Sequence, residues 1–450
     1  VLPSLAKLIS IRKDDCMGDS SEQCIDSAAS MQFLLRKLLE SLSRHKKMTF
    51  FFDDLQWADP ASLLLIASMI SNTKESIIFF ACCYRDDDIQ EGDPFTLWLS
   101  SIISNTKEIT QRLEIMSMRG ISAEGVNDFV SETLHLSPRI TRPLASVLHN
   151  KTRGNPLFLR QLFESLRDQG YIYFNWTRWK WDLNKIMDME LSDDVLALLI
   201  RGMQRLHPDL QLAMKVASCI GSCVKHSTFA ILSQDLKVNL RDLLSRVVQK
   251  GYVIDVDETR IRFAHDKIQQ AAYEMMPEIQ RLKNHMRFGL AICSHALKGG
   301  TENDELFFLA VNQINRGGHN ILVDPNQKVM VAALNLKAGK RSVELSDFST
   351  ALKLFEHGIS FLDNEQRWTT NYGISLDLCN AAVDTACALN DAAAVRRLSE
   401  QVIANAANSD DKLNCLYAVV KSLRLAFKFI DSKKVAFTIL QELGEMMPRP

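Results

Sequence analysis

Short, continuous apolar runs near the start of the chain predict strands of a buried parallel sheet. Met48 to Phe52 and Ile77 to Cys82 are apolar at consecutive positions apart from Thr49, as expected when both faces of a strand are covered. Between them, Asp59 can cap a helix and Pro60 suits its first turn, and apolar residues then recur at helical spacing. A third run, Leu113 to Met116, predicts another strand, so residues up to about 118 indicate an α/β layer structure.

From about residue 121 the apolar positions follow a helical period. They predict three helices of a small helical subdomain, the last ending at Gly170. The aromatic segment Tyr171 to Leu183 is too short and too rich in aromatics for another good helix, and it predicts a β-hairpin. The positions that carry the helical period are Val126, Phe129, Val130, Leu134, Leu144, Val147, Leu148, Leu159, Leu162, Phe163 and Leu166.

The next part of the chain combines helices with a β-ribbon. A stripe of leucine and valine from Leu240 to Val248 predicts a helix that ends at Lys250-Gly251. Two strand-like pieces follow, Tyr252 to Val256 and Arg260 to Phe263. Helices followed by such a ribbon are typical of a winged-helix arrangement.

Beyond residue 286 the chain is mainly Ala- and Leu-rich helical sequence. Ala351 and Phe355 match the A-x-x-x-F spacing of helical-hairpin repeats, and further helices are predicted around Ala381 and Leu413. No sustained consensus accompanies this spacing. The pattern therefore favours a stacked, TPR-like array without defining its repeats.

Composition excludes several classes of protein. The 450 residues carry 53 Lys and Arg against 54 Asp and Glu, and 46% are hydrophobic. This composition excludes broad disorder and argues against a generally basic nucleic-acid binder. None of the ten cysteines forms a C-x-x-C pair, which is typical of reduced thiols in a cytoplasmic protein. No run approaches the roughly 18 apolar residues of a membrane helix, so no membrane insertion is expected.

The stretch FFDDLQWADPASLLL, which begins at Phe51, carries the most informative chemistry. An apolar strand that ends in two carboxylates places Asp53 and Asp54 at the carboxyl edge of a sheet, where open α/β proteins bind ligands. Such a pair suits Mg²⁺, which prefers carboxylate oxygen and keeps several waters, and a second carboxylate can orient an attacking water. The alternative is that both residues simply end a strand in solvent.

This stretch resembles the Walker B region of AAA-like ATPases in the class of signal-transduction ATPases with numerous domains, particularly those joined to serine/threonine and histidine kinases. Four further segments resemble that family in the same order: its sensor strand, its G-x-P helix start, its aromatic hairpin and its winged-helix His-Asp element. The five segments are FFDDLQWAD at Phe51 to Asp59, ACCYRDDDI at Ala81 to Ile89, RGNPLFLRQLFESL at Arg153 to Leu166, WKWDL at Trp179 to Leu183 and FAHDKIQQAAYEMMPE at Phe263 to Glu278.

The resemblance implies a role for each matching residue in an ATP or ADP site with Mg²⁺. Asp53 would hold the metal through water, and Asp54 would act on the attacking water. Arg85 would sense the γ-phosphate, since a guanidinium can fork onto phosphate oxygens; the alternative is a surface ion pair with one of the aspartates that follow it. The helix start at Asn155 and Pro156 would also contact nucleotide, with Pro156 against the adenine, although these residues equally suit a cap and first turn.

The resemblance further implies that His265 reaches the β-phosphate of bound ADP and holds the domains closed. The alternative is a structural histidine between a strand and a helix, with Asp266 as the cap of that helix. DNA binding by the winged helix is disfavoured because Asp242 interrupts the basic residues Arg241 and Arg246 and no basic run flanks the helix. Protein docking is the better interpretation of this element.

The sequence contains no G-x-x-x-x-G-K-[ST] loop to hold the phosphates. Its one Gly-Lys pair, Gly339-Lys340, is followed by Arg341. Residues 1 to 47 are helix-like and resemble the segment between the two Walker motifs, and the first residue is Val1. We therefore expect the chain to be an N-terminally truncated ATPase that by itself binds nucleotide weakly and does not hydrolyse it; a degenerate ATPase is the alternative.

Together these features predict a multidomain α/β plus α protein. Its predicted parts are the C-terminal portion of a P-loop NTPase sheet (1–118), a helical lid with the hairpin (119–190), a winged helix (191–285) and TPR-like repeats (286–450). The expected function is a cytoplasmic, ATP/ADP-operated switch with protein partners on the repeats. The resemblance implies that it regulates a covalently linked kinase module, because this chain shows neither an H-R-D nor a D-F-G element. The alternative function is a nucleotide-independent interaction scaffold.

Overall fold

The computed structural model of the chain is mostly helical over the residues that it describes, with three small sheets among them. The predicted helical segment 1–47 lies almost entirely outside the residues that it describes. None of the described helices combines the length and apolar content that crossing a bilayer requires. The described residues are 37–39, 41–43, 46–71, 78–86, 89, 92–104, 113–188, 195–298, 304–362 and 367–443.

Residues 46–104 form a small α/β unit, here called the N-terminal unit. Strand β1 (Met48–Phe52) pairs in parallel with β2 (Ile78–Cys82), as predicted. The predicted burial of both faces is wrong, because Phe51 and Phe79 are each 65% exposed and the described part of this sheet is covered on one face only. Helix α1 (Pro60–Ser71) also begins as predicted, since Asp59 Oδ1 accepts a hydrogen bond from Ser62 N at 2.8 Å. Helix α2 (Pro94–Ser104) completes the unit. Its hydrophobic core draws on residues between 52 and 102 and includes none from the other described parts of the chain.

The predicted third strand is wrong. Leu113 to Met116 has no regular secondary structure, and side chains there are open to solvent, with Ile115 61% and Met116 76% exposed. A strand requires a neighbouring backbone for its hydrogen bonds, and the described part of this sheet consists of β1 and β2 alone. An apolar run therefore did not suffice to form a strand here.

Residues 121–188 form the helical unit, whose three main helices and hairpin agree with the prediction. Gly154 fixes its geometry at the point where the chain enters helix α5: its φ is +75°, and a Cβ there would lie 2.1 Å from the carbonyl oxygen of Ile121. Only glycine fits such an approach. The elements are α3 (Ala123–Leu134), α4 (Pro138–Thr152), α5 (Pro156–Asp168), β3 (Ile172–Asn175), β4 (Arg178–Trp181) and α6 (Leu183–Asp188).

Residues 195–276 form the mixed unit, in which helices surround a three-stranded antiparallel sheet of order β5-β7-β6. The predicted ribbon and the predicted Leu240 helix are present, while strand β5 was not predicted. The elements are α7 (Val195–Gln204), α8 (Pro208–Ile220), β5 (Cys223–Lys225), α9 (His226–Leu236), α10 (Leu240–Gln249), β6 (Val253–Asp257), β7 (Arg260–Phe263) and α11 (Asp266–Glu274).

The described residues from Glu278 onward form a helical array. Its first helix runs through the boundary predicted at 285/286, and one continuous hydrophobic core contains residues from both sides of that boundary. The helices are α12 (Glu278–Lys298), α13 (Asp304–Gly317), α14 (Pro325–Glu344), α15 (Phe348–Phe361), α16 (Tyr372–Ala388), α17 (Ala392–Asn405), α18 (Asp410–Leu425) and α19 (Phe429–Glu442).

A buried polar chain joins the mixed unit to this array. The ring nitrogens of His285, which is 1% exposed, bond Tyr273 Oη at 2.8 Å and Gln313 Oε1 at 2.6 Å. Gln313 Nε2 donates to the carbonyl oxygen of Ile220 at 3.3 Å. Burial lowers the pKa of His285, so that the ring is neutral inside the fold.

Gly339 accounts for the tight packing of α14 on α15. A Cβ at this position would lie 2.3 Å from Cε1 of Phe355, a fully buried ring. The Gly-Lys pair at 339–340 therefore lies within a packed helix and forms no loop that could hold a phosphate.

Candidate functional site

The carboxyl end of β1 carries the two predicted carboxylates. The chain turns sharply after Asp53, and Asp54 adopts the left-handed conformation with φ 56° and ψ 44°. This conformation costs an ordinary residue roughly 1–2 kcal/mol, although aspartate tolerates it better than most. Asp53 Oδ1 accepts a hydrogen bond from Asp54 N at 3.2 Å. Leu55 N then donates to Cys83 O at 3.0 Å, which holds the turn beside the end of β2.

Gln56 joins the carboxylate of Asp54 to the segment after β2. Its Nε2 donates to Asp54 Oδ1 at 3.1 Å, and its Oε1 accepts from the backbone nitrogen of Arg85 at 3.3 Å. One side chain thereby fixes the positions of Asp54 and Arg85 together. Gln56 was not among the predicted site residues, although it belongs to the motif that indicated the site.

Arg85 connects the N-terminal unit to the mixed unit. Its Nε lies 3.2 Å from Asp54 Oδ1, and its Nη2 donates a hydrogen bond to Asp266 Oδ2. The side chains of Arg85, Asp54 and Asp266 are 31%, 35% and 51% exposed. Pairs as open as these contribute about 0–1 kcal/mol each. Arg85 thus bridges two carboxylates from distant parts of the chain by contacts that are weak enough to exchange.

His265 caps helix α11, and Asp266 does not. His265 Nδ1 accepts a hydrogen bond from Lys267 N at 3.1 Å, whereas Asp266 lies in the first turn and pairs with Arg85. The predicted cap at Asp266 is therefore wrong. A backbone N–H cannot bond a protonated Nδ1, so the neutral ring carries its proton on Nε2.

The electrostatics keep His265 neutral. Burial lowers its pKa, and the positive charge of Arg85 lowers it further, while the charges of Asp266 and Asp54 oppose this effect. The ring is therefore an uncharged imidazole with an Nε2–H donor, near enough to Arg85 for the charge of the guanidinium to act on it. The imidazole and the carboxylates after β1 lie in one electrostatic neighbourhood, although some 210 positions separate them in the sequence.

The predicted residues of the helical unit, Asn155 and Pro156, lie at the start of helix α5. Asn155 and Pro156 are both exposed, and Asn155 Oδ1 caps α5 by accepting from Phe158 N at 3.0 Å. The structure records no hydrogen bond from either residue to the cluster. The next residue, Leu157, packs against the hydrophobic core of the mixed unit. The start of α5 therefore lies beside the mixed unit, and its contact with a nucleotide stays a prediction.

The described residues contain no group of three or more His, Cys, Asp or Glu side chains that could hold a metal ion. Asp53 and Asp54 can supply one or two oxygen ligands to Mg²⁺, which ordinarily takes its other ligands from water and substrate phosphates. The donor set thus fits a metal that arrives with a phosphate group, but it does not fit an independent metal centre.

No protein-family model matches the chain. It is 20% identical over 387 residues to hybrid signal transduction histidine kinase G of Dictyostelium discoideum, an alignment that covers 73% of this chain and 11% of that protein. It is 21% identical over 241 residues to the peroxide stress-activated histidine kinase mak3 of Schizosaccharomyces pombe, covering 51% of this chain and 10% of that protein. The chain spans about a tenth of the length of either kinase.

Among solved structures, the chain is similar to a signal-transduction ATPase with numerous domains and a tetratricopeptide repeat sensor from Pyrococcus horikoshii. That match has a TM-score of 0.40 at 13% identity and covers 95% of this chain and 63% of the other.

Proposed function

We propose that the chain is part of a nucleotide-operated switch in a signalling protein. ATP or ADP with Mg²⁺ would lie where the N-terminal unit, the start of α5 and the mixed unit meet. The N-terminal unit would be part of a P-loop sheet, the mixed unit a winged helix and the array a set of TPR-like repeats that bind protein partners. The observation that carries this proposal is the contact of Arg85 with both Asp54 and Asp266, next to the neutral ring of His265.

Each side chain has a distinct part in the proposed site. Asp53 would hold Mg²⁺ through water, and Asp54 would orient or deprotonate an attacking water. Arg85 would exchange a carboxylate for a phosphate oxygen, and His265 would donate its Nε2–H to another. The phosphate would compete with Asp54 and Asp266 for the positive charge of Arg85.

The magnitudes show how much of a switch these residues can provide. Inverting a 1:99 population to 99:1 requires about 5.5 kcal/mol of differential affinity. An exposed ion pair such as that between Arg85 and Asp266 contributes at most about 1 kcal/mol. The exchange at Arg85 would therefore adjust the balance between two arrangements, and most of the difference would come from the remaining contacts of the nucleotide.

The names of the two histidine kinases support the idea that the switch regulates an attached kinase module. The alignments leave nearly nine tenths of each kinase unmatched. The output module would lie in sequence that corresponds to these unmatched parts. A switch that serves such a kinase would work in the cytoplasm.

Titration calorimetry with MgADP at up to millimolar concentration tests this proposal on the 450-residue chain. We expect weak binding and no ATP hydrolysis. Arg85→Gln and His265→Asn should each weaken binding about fivefold or more, which corresponds to about 1 kcal/mol for each lost contact. Arg139→Gln is the matched control, because Arg139 is exposed on α4 and lies outside the cluster. Equal affinity in all four proteins would place the nucleotide elsewhere.

A nucleotide-independent scaffold is the second candidate. It is favoured by the lack of a phosphate-holding loop in the sequence, since Gly339 lies inside a packed helix. The same titration on a longer form of the protein with additional upstream sequence separates the two. Tight MgADP binding there supports the switch, and continued absence of binding supports the scaffold.

A further inference from the structure

The hairpin of strands β3 and β4 has one packed face and one open face. In the cross-strand register, Ile172 lies opposite Trp181 and Phe174 opposite Trp179. Ile172 is buried in the core of the helical unit, and both tryptophans pack against that core. The other face is more open, since Tyr173, Asn175 and Arg178 are exposed and Lys180 is half-buried. It consists of the cross-strand pairs Tyr173 with Lys180 and Asn175 with Arg178.

Trp176 at the hairpin tip has no evident role in folding. It is 95% exposed, so it buries almost no apolar surface. Its φ of 48° places a bulky side chain in the left-handed region, which turns normally fill with Gly, Asn or Asp. The turn is thus made with an unfavourable residue whose side chain gains nothing within the described structure. Strain of this kind commonly marks a functional position.

The open face carries positive charge without compensation. Neither Arg178 nor Lys180 forms an ion pair with another described residue, whereas Arg160, Arg167 and Lys185 of the same unit each pair with a nearby carboxylate. No carboxylate lies on the face itself. A partner that covers this face must therefore bring negative charge, because unpaired buried cations would oppose binding.

The composition of the surface favours a protein over other acidic partners. Trp, Tyr and Arg are the residue types that dominate the affinity of protein interfaces, and Trp176, Tyr173 and Arg178 supply one of each. Two cations would neutralise only about two phosphates, which gives little affinity for nucleic acid at physiological salt. A bilayer rewards buried apolar area, and the tip offers little beyond Trp176 and Phe174.

We propose that Tyr173, Trp176, Arg178 and Lys180, here called the hairpin surface, bind an acidic segment of a partner protein. Trp176 would pack against large apolar side chains of that segment, and the two cations would pair with carboxylates beside them. This interaction does not depend on the proposed nucleotide site.

Selection of random displayed peptides on the whole chain tests the proposal. Counter-selection uses the Trp176→Asn, Arg178→Glu, Lys180→Glu triple variant, so that only peptides that need the hairpin surface survive. We expect the enriched peptides to be acidic and to contain large apolar residues. Enrichment of basic or uncharged peptides, or no enrichment, would overturn the proposal.

Affinity and stability measurements with the best enriched peptide then separate binding from folding. Trp176→Asn should weaken the peptide about thirtyfold, the loss typical of an interface hot spot, without lowering the melting temperature. The Arg178→Glu, Lys180→Glu pair should weaken it about tenfold or more. The matched control reverses Arg139 and Arg142, which are exposed on α4, and should leave binding unchanged.

Three results would contradict this mode of binding. The first is unchanged peptide affinity in Trp176→Asn. The second is a lower melting temperature of Trp176→Asn together with full peptide binding by the Arg178→Glu, Lys180→Glu variant. Trp176 would then have a structural role, and the two cations would not contribute to binding. The third is tighter binding to phosphatidylserine vesicles or to a single-stranded oligothymidylate than to any enriched peptide.

Discussion

Replacing Gly339 by alanine should loosen the helix pair α14 and α15. The added methyl group would lie 2.3, 2.6 and 2.7 Å from three ring carbons of Phe355. Carbon atoms in contact normally stay 3.5–4.0 Å apart, so the ring would have to retreat by roughly 1 Å. Phe355 is fully buried and can move only with its neighbours.

Two opposing terms set the size of the effect. Overpacking a well-filled core costs about 1–3 kcal/mol. Alanine in place of glycine within a helix recovers about 1 kcal/mol. Because the overlap at Phe355 is large, we expect the free energy of opening for this helix pair to fall by about 1–2 kcal/mol.

Hydrogen exchange of peptides from α14 and α15 measures this change locally, which matters because a chain with several cores does not unfold in one step. Gly202→Ala in α7 is the control, since the nearest atom to its added methyl would be Tyr252 Oη at an ordinary 3.6 Å. That variant should protect its own helix by about 0.5–1 kcal/mol. Unchanged or slower exchange around Gly339→Ala would refute the packing that we describe and reopen the question of a loop at this Gly-Lys pair.

Three further predictions concern the candidate site and the buried histidine. Asp54→Asn should keep the fold, since asparagine also tolerates the left-handed conformation. In a longer form of the protein that hydrolyses ATP, this variant should still bind ATP but hydrolyse it more slowly. Unchanged turnover would show that Asp54 has no part in the chemistry. His265→Asn should retain the cap of α11 and the melting temperature but release ADP faster. His265→Ala should release ADP faster and also lose about 0.5–2 kcal/mol of stability. Equal ADP off-rates in both variants and the parent would show that His265 does not contact the nucleotide. Acidification below about pH 6.5 should destabilise the chain, because the unfolded state then protonates His285 while the folded ring, whose pKa is lowered, stays neutral. In urea titrations His285→Gln should lessen that loss, and an identical pH dependence would show that other groups cause it.

Local sequence signals predicted most of the elements correctly. Asp59 and Pro60 marked the start of α1, and the leucine and valine stripe from Leu240 marked α10, because capping and helical periodicity depend on neighbours within one or two turns. The aromatic hairpin was also confirmed, because its two strands lie next to each other in the sequence. The strand predicted at Leu113 to Met116 was wrong, because a strand needs a distant partner strand that no local pattern specifies.

The candidate site depended mostly on contacts that the sequence could not specify. The pairing of Arg85 with Asp266 joins residues 181 positions apart, and the expected competitors were the aspartates next to Arg85 in the chain. His265 rather than Asp266 caps α11 because His265 is the one of these two adjacent residues that adopts the extended backbone of a cap. Gln56 could have been found from its place in the motif, two residues after Asp54 and facing the same strand end.

The way in which the N-terminal unit joins the rest of the chain has a mechanical consequence. Its hydrophobic core includes no described residue from the other units, and Arg85 meets Asp266 of the mixed unit through charge. Swinging the two bodies apart along such a seam would expose little apolar surface and so carry only a small heat-capacity change. The fraction of molecules in which the N-terminal unit is separated from the mixed unit would then depend more on ionic strength than on temperature.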